Sequence, residues 1–528
     1  MALRLREITL HLDEGENQLV IKIAACLSVE IEQITAWWIV RKAIDARRKS
    51  DILRVYTVDF TCQDEADVLD RCSHLKTLER SPDYRPYAIH KLKSSADVLV
   101  VGMGPAGLFS ALALAESGAR VTLIERGKAL TERLRDVHDL WAGGGLQSES
   151  NIQFGEGGAG TFSDGKLTCR LNHPATRMIL ERLAQFGAPQ DILTQAKPHI
   201  GSDRLRAVLV NFRNHLLETG VKIRFSQRLK DLDIRDGSVR AGITNDSSES
   251  IECDYLILAT GHSARDTYKM LADNNIALEK KAFAVGLRVE HPLELIDRIQ
   301  YGIRRPPQLP AADYRLTWND PQTGRGVYSF CMCPGGWVVN AASEPGGLAV
   351  NGMSNFLRDT PWSNSALVVT VTPEDFPDPN PLAGIDFQRQ WEKKAFLLGG
   401  ANYCAPAQPL LEYLNGKGGR LESSFQPQVT HADLKDCLPE FVDLSLRRAL
   451  PLFNQRMRGF VGPESCLIGV ETRTSSPLRI LRDQDGESIS LKGLYPAGEG
   501  AGYAGGIMSA ALDGIKTAEK IIQRINEF

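Results

Sequence analysis

The sequence predicts an α/β protein built around a Rossmann-like nucleotide-binding sheet. A second, antiparallel-sheet domain is inserted into it, and a small α/β domain precedes it. Three observations carry that prediction. Asp97–Glu125 reads as strand, glycine turn, helix, strand. Residues 493–522, GLYPAGEGAGYAGGIMSAALDGIKTAEKII, read as strand, glycine turn, helix again. Between them, residues 281 to about 480 hold long strand-like runs, FAVGLRVEHP, GVYSFCMCPGGWVVNAA, LAVNGMSNFLRD and ALVVTVTP, with no helices separating them.

Val98–Val101 is an apolar run of the kind that makes a strand buried on both faces. Gly102, Gly104 and Gly107 follow at G-x-G-x-x-G spacing. Gly102 permits the tight turn, Gly104 lets a pyrophosphate approach the backbone, and Gly107 lets the helix pack closely on the strand. Leu108–Glu116 is the helix, ended by Gly118, and its N-terminus offers free N–H groups to phosphates. Val121–Ile124 is the second strand. Glu125 closes it, where an acid accepts hydrogen bonds from ribose hydroxyls. The unit is Rossmann-like.

Residues 1–93 form the small α/β domain and its linker. Leu5–Leu12 alternates like a strand, and Asn17 caps a helix through Leu27. Ile34–Ala46 and Ile52–Thr61 make a hairpin turning at Arg47–Asp51, and Asp64–Cys72 is a helix. Arg41, Lys42, Arg47, Arg48 and Lys49 cluster near the turn. Acids balance bases across this region, so a solvated face is expected rather than an RNA platform. Residues 80–95 read as an extended linker.

Residues 94–280 and 480–528 make up the nucleotide-binding domain. Arg126–Asp136 is charged and helical. Residues 141–167, WAGGGLQSESNIQFGEGGAGTFSDGKL, are too rich in glycine for helix or strand. Gly157, Gly158, Gly160, Thr161, Ser163 and Asp164 are candidates to wrap a dinucleotide on its second side. Ser202–Thr219 is an amphipathic helix. Val221–Phe225 opens a run of short antiparallel strands, Leu229–Ile234, Val239–Thr244 and Ile251–Ile257, turning at Asp236-Gly237 and Asn245–Ser250. Tyr255–Ala259 returns the chain to the nucleotide sheet. Residues 281–479 form the inserted domain, with helices at Gln388–Leu398 and Leu438–Leu446. Leu494–Ala497 and a helix from Gly506 complete the nucleotide domain.

Composition narrows the function. The formal net charge is -3, so no overall field draws the chain to nucleic acid or an anionic membrane. No apolar run approaches a membrane span. The ten cysteines show no C-x-x-C pair, which suits free thiols in a reducing compartment, and no metal-ligand spacing occurs. The opening MALRLREITLHLDEGE lacks an apolar signal core, so a cytoplasmic location is expected. The sequence leaves the oligomeric state open.

The G-x-G-P-A-G motif with its closing acid, the YLILATGH strand and GLYPAGEGAGYAGG resemble the FAD-binding half of the glutathione-reductase-like flavoproteins. With FGEGGAGTFSDGKL, ATGHSARDT, FAVGLRVEHP and SFCMCPGG, the chain resembles a bacterial and plastid-lineage family of FAD-dependent dehydrogenases. The resemblance implies FAD contacts at Gly102, Gly104, Pro105, Ala106, Gly107, Glu125, Arg126, Gly158, Thr161, Gly261, Gly498, Glu499, Gly505, Gly506 and Ile507. It places Glu499 near the ribityl–phosphate region and Gly505–Ile507 at the flavin N1/C2 carbonyl edge. It implies hydride transfer between a small-molecule substrate and flavin N5. No second dinucleotide fold is present, so NAD(P)H would dock transiently. An RNA-modifying flavoprotein and a non-catalytic redox scaffold are the rival readings.

Several residues are candidates for the chemistry. Cys331 and Cys333 share a strand face by their spacing and are either thiols beside the flavin or core packing. His262 is either a base or a cap for Ser263-Ala264. Arg288 and Arg358 either anchor a substrate carboxylate bidentately or lie on the surface. Glu471, Arg473, Ser475 and Ser476 adjoin the return to the cofactor domain and are candidate site-lining residues.

Overall fold

In the computed structural model, which describes residues 2–169, 171–245 and 249–527, strands Leu3–Leu10, Ile34–Asp45, Leu53–Cys62 and Leu78–Arg80 form one sheet. The sheet order is Ile34–Asp45, Leu53–Cys62, Leu3–Leu10, Leu78–Arg80. Helices Gln18–Leu27 and Glu65–Arg71 bury Leu19, Ile23 and Val68 with Leu5, Val58 and Phe60. This is a β-α-β-β-α-β arrangement. Asn17 stands at the helix start, but its backbone is helical and its side chain makes no capping bond. Two residues of the basic cluster reach the rest of the molecule. The Lys42 backbone pairs with Thr194 and Ala196, and the Lys49 ammonium donates to the Ile299 carbonyl. The stretch after Arg80 has no regular structure, yet Tyr87, Ile89 and Leu92 pack on the nucleotide-domain core.

The nucleotide sheet is parallel throughout, in the order Leu494–Pro496, Tyr255–Leu258, Asp97–Val101, Arg120–Ile124, Lys222–Arg224. Its central strand is buried on both faces, Val98 and Val100 under helices Pro105–Ser117 and Ile507–Glu527, and Leu99 and Val101 under strands Leu229–Arg235 and Ser238–Thr244. Three expectations change here. The run at Val221–Phe225 supplies the edge strand of this sheet, not the start of the antiparallel run. Ile251–Ile257 splits between two sheets: Glu249–Glu252 stays with Ser238–Thr244, and Tyr255–Leu258 joins Asp97–Val101. The turn expected at Asn245–Ser250 lies partly outside the described residues. The charged helix starts at Leu130, after Gly127, which is pressed against the Gly155 backbone. Helix Ala175–Gln185 is an element the sequence reading did not anticipate.

The inserted unit holds a seven-stranded sheet, ordered Thr317–Asn319, Gly326–Cys333, Trp362–Val371, Phe283–Pro292, Cys466–Glu471, Ala405–Pro409, Val429–His431. Its last pair is parallel and the others antiparallel. Helix Leu293–Tyr301 follows the first long strand directly, contrary to a run of strands without helices. GVYSFCMCPGGWVVNAA breaks at Pro334-Gly335, and Gly336–Asn340 pairs with Val350–Ser354 in a separate ribbon. Val285, Leu287, Val289, Leu367 and Val369 face the core beneath helix Glu440–Arg456. Ala284, Ala366 and Val368 face the other way, under Tyr328 and Phe330. The insertion hangs from a neck in which Leu278–Lys280 pairs antiparallel with Leu478–Ile480.

Candidate functional site

Glycine turns far apart in the chain meet at the carboxyl end of the nucleotide sheet. A β-carbon on Gly102 would lie 2.4 Å from the Ala259 carbonyl oxygen, and one on Gly107 1.8 Å from the Gly102 carbonyl oxygen. A β-carbon on Gly500 would strike Gly261, and one on Gly498 would press on Ala106. Gly158 packs on the Gly104 Cα, and the Gly157 N–H donates to the Met103 carbonyl. Gly160 rests on Ile507 and Pro105. At Gly104 itself a β-carbon would meet only the Gly158 Cα, at 4.0 Å, and at Gly261, Gly505 and Gly506 nothing lies within 4 Å. Helix Pro105–Ser117 begins there with Pro105 in its first turn and no side-chain cap, so its N–H groups face the open space. Space left at the glycines, uncapped N–H donors and a positive helix end together fit the diphosphate of FAD.

Glu125 joins these turns. Its Oε1 accepts the N–H groups of Gly127 and Gly155 at 2.9 Å, and its Oε2 accepts that of Met103 at 2.8 Å. One lone pair on Oε2 is left for a further donor. Arg126 lies over the Phe154 ring at 4.1 Å and pairs with Glu149 and Asp266 at 2.8 Å. A cleft of about 630 Å³ opens beside it, reaching Ser263, Arg265 and Glu344.

The loop over residues 141–167 is organised by Arg133, which sequence reading passed over. This guanidinium is fully buried. It donates to the carbonyls of Asn151, Ile152, Glu156 and Gly158 and to Thr161 Oγ1. Burial pushes its pKa down to about 9. Thr161, expected at the cofactor, turns its hydroxyl inward to Glu156 O. Only the charged pattern of its helix signals Arg133, and that pattern does not tell a solvated arginine from a buried one.

Glu499 accepts from the Gly506 N–H ahead of helix Ile507–Glu527, with Lys281 nearby. Burial pushes its pKa up to about 7, against the pull of Lys281 and that N–H.

The catalytic candidates fall differently from expectation. Neither Arg288 nor Arg358 is on the surface, and neither offers a free fork. Arg288 is fully buried, bound to Glu471 at 3.0 Å and to Asn364 at 2.6 Å. Arg358 makes a two-point bond to Asp164. His262 does not cap the helix that follows it, and its imidazole is held neutral. The helix after it starts without a side-chain cap, and burial with Arg473 and Arg265 pushes its pKa down to about 3. Cys331 and Cys333 do not share a face. A bulge lies between Phe330 and Cys333, and Cys331 adopts φ 42°, so Cys331 is exposed and Cys333 buried. Arg473 belongs to a buried network with Glu392, Arg265, Ser263 and Ser343. Glu471 holds Arg288, and Ser476 meets Tyr268.

Lys166 is the residue missed beside them. Its ammonium donates to the Met332 carbonyl and pairs with Asp164 at 3.1 Å, which joins the glycine-rich loop to the inserted sheet. Nothing local marks Lys166, because its partners are 166 residues away or on its own loop.

Residues 96–280 match the pyridine nucleotide-disulphide oxidoreductase family model, and residues 282–474 match that of the FAD-dependent protein, C-terminal domain-like family. Residues 2–61 match a domain of unknown function. An uncharacterized protein of Clostridium beijerinckii is 44% identical over 536 residues, covering 100% of this chain and 99% of its own. A thiamine thiazole synthase of Aeropyrum pernix is 27% identical over 35% of this chain and 61% of its own length. Among solved structures, the FAD complex of a Bacillus halodurans glycerol-3-phosphate dehydrogenase covers 82% of this chain and 65% of its own, at 10% identity and a TM-score of 0.34. Sharing its whole length with the Clostridium beijerinckii protein and carrying both FAD-type domains, the chain belongs to a family of FAD-dependent oxidoreductases.

Proposed function

We propose that the protein binds FAD without a covalent bond and passes hydride between a small-molecule substrate and flavin N5. The convergence of the 102–107, 155–160, 259–261 and 498–507 turns on one open space carries this reading. In it, Gly102–Gly107 takes the diphosphate, Glu125 offers its remaining lone pair to the ribose, and Arg126 borders the adenosine end. Gly261 leaves the cofactor room. Glu499 meets the ribityl chain. The Ile507 N–H would meet the pyrimidine edge of the ring, the Gly505 N–H being taken by Ser509 Oγ and that of Gly506 by Glu499.

FAD, when bound, supplies a hydride acceptor and donor at one nitrogen. The chain's residues do the rest. The helix beginning at Ile507 presents its positive end where reduction adds negative charge, which stabilises the reduced state. The inserted sheet presents Cys331 and the glycine-rich loop presents Lys166, whose ammonium reaches the Met332 carbonyl, so the substrate binds between the two. NADH or NADPH docks in the same cleft as a transient donor.

The test is direct. Purified protein should release FAD on denaturation, identified by chromatography, and anaerobic mixing with NADH or NADPH should bleach the flavin band. Release of FMN, or of no flavin, would refute the assignment of the glycine turns. Bound FAD that no nicotinamide reduces would remove the proposed donor.

A further inference from the structure

The two ends of the glycine-rich loop are held in different ways. At residues 151–158 the buried Arg133 grips the backbone, taking the carbonyls of Asn151 and Ile152 first. Residues 145–150 have no such anchor. Among the described residues, every hydrogen bond this segment makes beyond residues 139–154 goes through one side chain, Glu149. Its carboxylate accepts from Arg126 Nε at 2.8 Å, from Arg126 Nη2 at 3.0 Å and from Arg228 Nη1 at 3.2 Å. Within the segment, Asn151 Nδ2 holds the carbonyls of Gln147 and Ser148, so these residues move as one piece. Before it, Gly143 has φ 92°, and a β-carbon on Gly143 or Gly145 would find nothing within 4 Å, which provides a pivot.

The segment lies between two clefts, of about 340 Å³ and 630 Å³. Arg126, Ser148, Glu149 and Arg228 line both, so the Glu149 ion pairs stand as the wall between them. Releasing that wall strands no charge. Arg126 keeps Asp266 at 2.8 Å and the Phe154 ring beneath it, and Asp266 stands 3.6 Å from Arg228. The Glu149 side chain is already 44% exposed, so its carboxylate passes into water at little cost, whereas Arg126 is 11% exposed and stays in place. A tether of this kind opens reversibly, unlike the buried grip of Arg133.

We infer that residues 145–150 are a flap over the adenosine end of the cofactor site, latched by Glu149, and that its opening sets the rate at which FAD enters and leaves. This rests on the flavin reading above, in which Arg126 borders the adenosine, and adds control of cofactor exchange to it. Glu149 acts through the two arginines and is a positioning residue. With the latch open, the two clefts join into one groove beside Arg126, wide enough for a nucleotide to slide through.

The test uses the FAD-loaded protein. Excess isotopically labelled FAD is added, and the rate at which label replaces bound cofactor gives the release rate, while equilibrium dialysis gives Kd. Glu149→Gln should speed exchange by about tenfold, since a neutral amide holds two guanidinium groups less well than a carboxylate does. Its Kd should change by less than about threefold, because a gate speeds entry and exit together. A residue that only supports the bound cofactor would instead raise Kd in step with the release rate. Salt should speed exchange more in the wild type than in Glu149→Gln, because the latch pairs are half-exposed and screened. An exchange rate unmoved by Glu149→Gln, a Kd that rises in proportion to it, or the same salt response in both proteins would each overturn the inference. Protein that holds no FAD would overturn the flavin reading and this inference with it, whereas FAD held and exchanged at an unaltered rate in the variant would overturn the latch alone.

Discussion

Glu499 makes stability depend on pH. Its pKa is raised from 4.5 to about 7, chiefly by burial. The native carboxyl thus keeps its proton between those values while the unfolded one has lost it. Its contribution therefore destabilises the native state progressively as pH rises from about 4.5 to 7, and the penalty is constant above that. In FAD-free protein, Glu499→Gln should raise the melting temperature over wild type at pH 8, by on the order of 1 kcal/mol of stability, and the gain should vanish near pH 5. Thermal scans at the two pH values decide it. Arg133 gives a sharper result. Arg133→Met strands four carbonyls and should destabilise by roughly 3 kcal/mol, with early proteolytic cleavage within 141–167. Both Arg133 and Lys166 escaped the sequence because their roles depend on what surrounds them. The positions of Glu125 and Glu499 at the glycine turns were legible because each closes a strand or turn whose pattern is local.

The glycine turns separate folding from binding within one motif. A β-carbon at Gly107 collides with backbone at 1.8 Å, whereas one at Gly104 has 4.0 Å of clearance at an ordinary φ of −79°. Gly107→Ala should therefore lower stability by several kcal/mol or abolish soluble expression, and Gly104→Ala should fold but bind FAD more weakly. Urea melts of FAD-free protein, with flavin titration, distinguish the two. Strand–turn–helix units like this one are legible because period, glycine spacing and cap signals agree. The bulge at Cys331 was not, since an inserted residue reverses the alternation from which faces are inferred. The helix Leu293–Tyr301 was missed beside a long apolar strand because its short amphipathic pattern is bounded only by Pro292 and Gly302.

The amino-terminal sheet grips both of the larger units. Lys42 pairs its backbone with Thr194 and Ala196, Lys49 reaches Ile299, and Ile52 is buried in the core of the insertion. Sequence separation hid these contacts, and the linker looked free for the same reason. Its Tyr87 donates to Glu519 at 2.6 Å, and Ile89 and Leu92 cover the nucleotide core. We therefore expect two truncations to differ. Removing residues 1–81 should leave an FAD-binding protein of reduced stability, and removing 1–93 should lower the melting temperature further by several degrees. Identical melting temperatures for the two would show that the linker contributes nothing.

The neck formed by Leu278–Lys280 and Leu478–Ile480 makes the insertion separable. The chain leaves and re-enters the parallel sheet side by side, through one two-stranded ribbon. A turn of a few residues joining Lys280 to Leu478 would close the parent fold without moving a strand of it. The insertion is thus a cassette, exchangeable at a single locus. The glycine turns at 102–107, 155–160, 259–261 and 498–507 all lie outside it, so its removal would leave them in place.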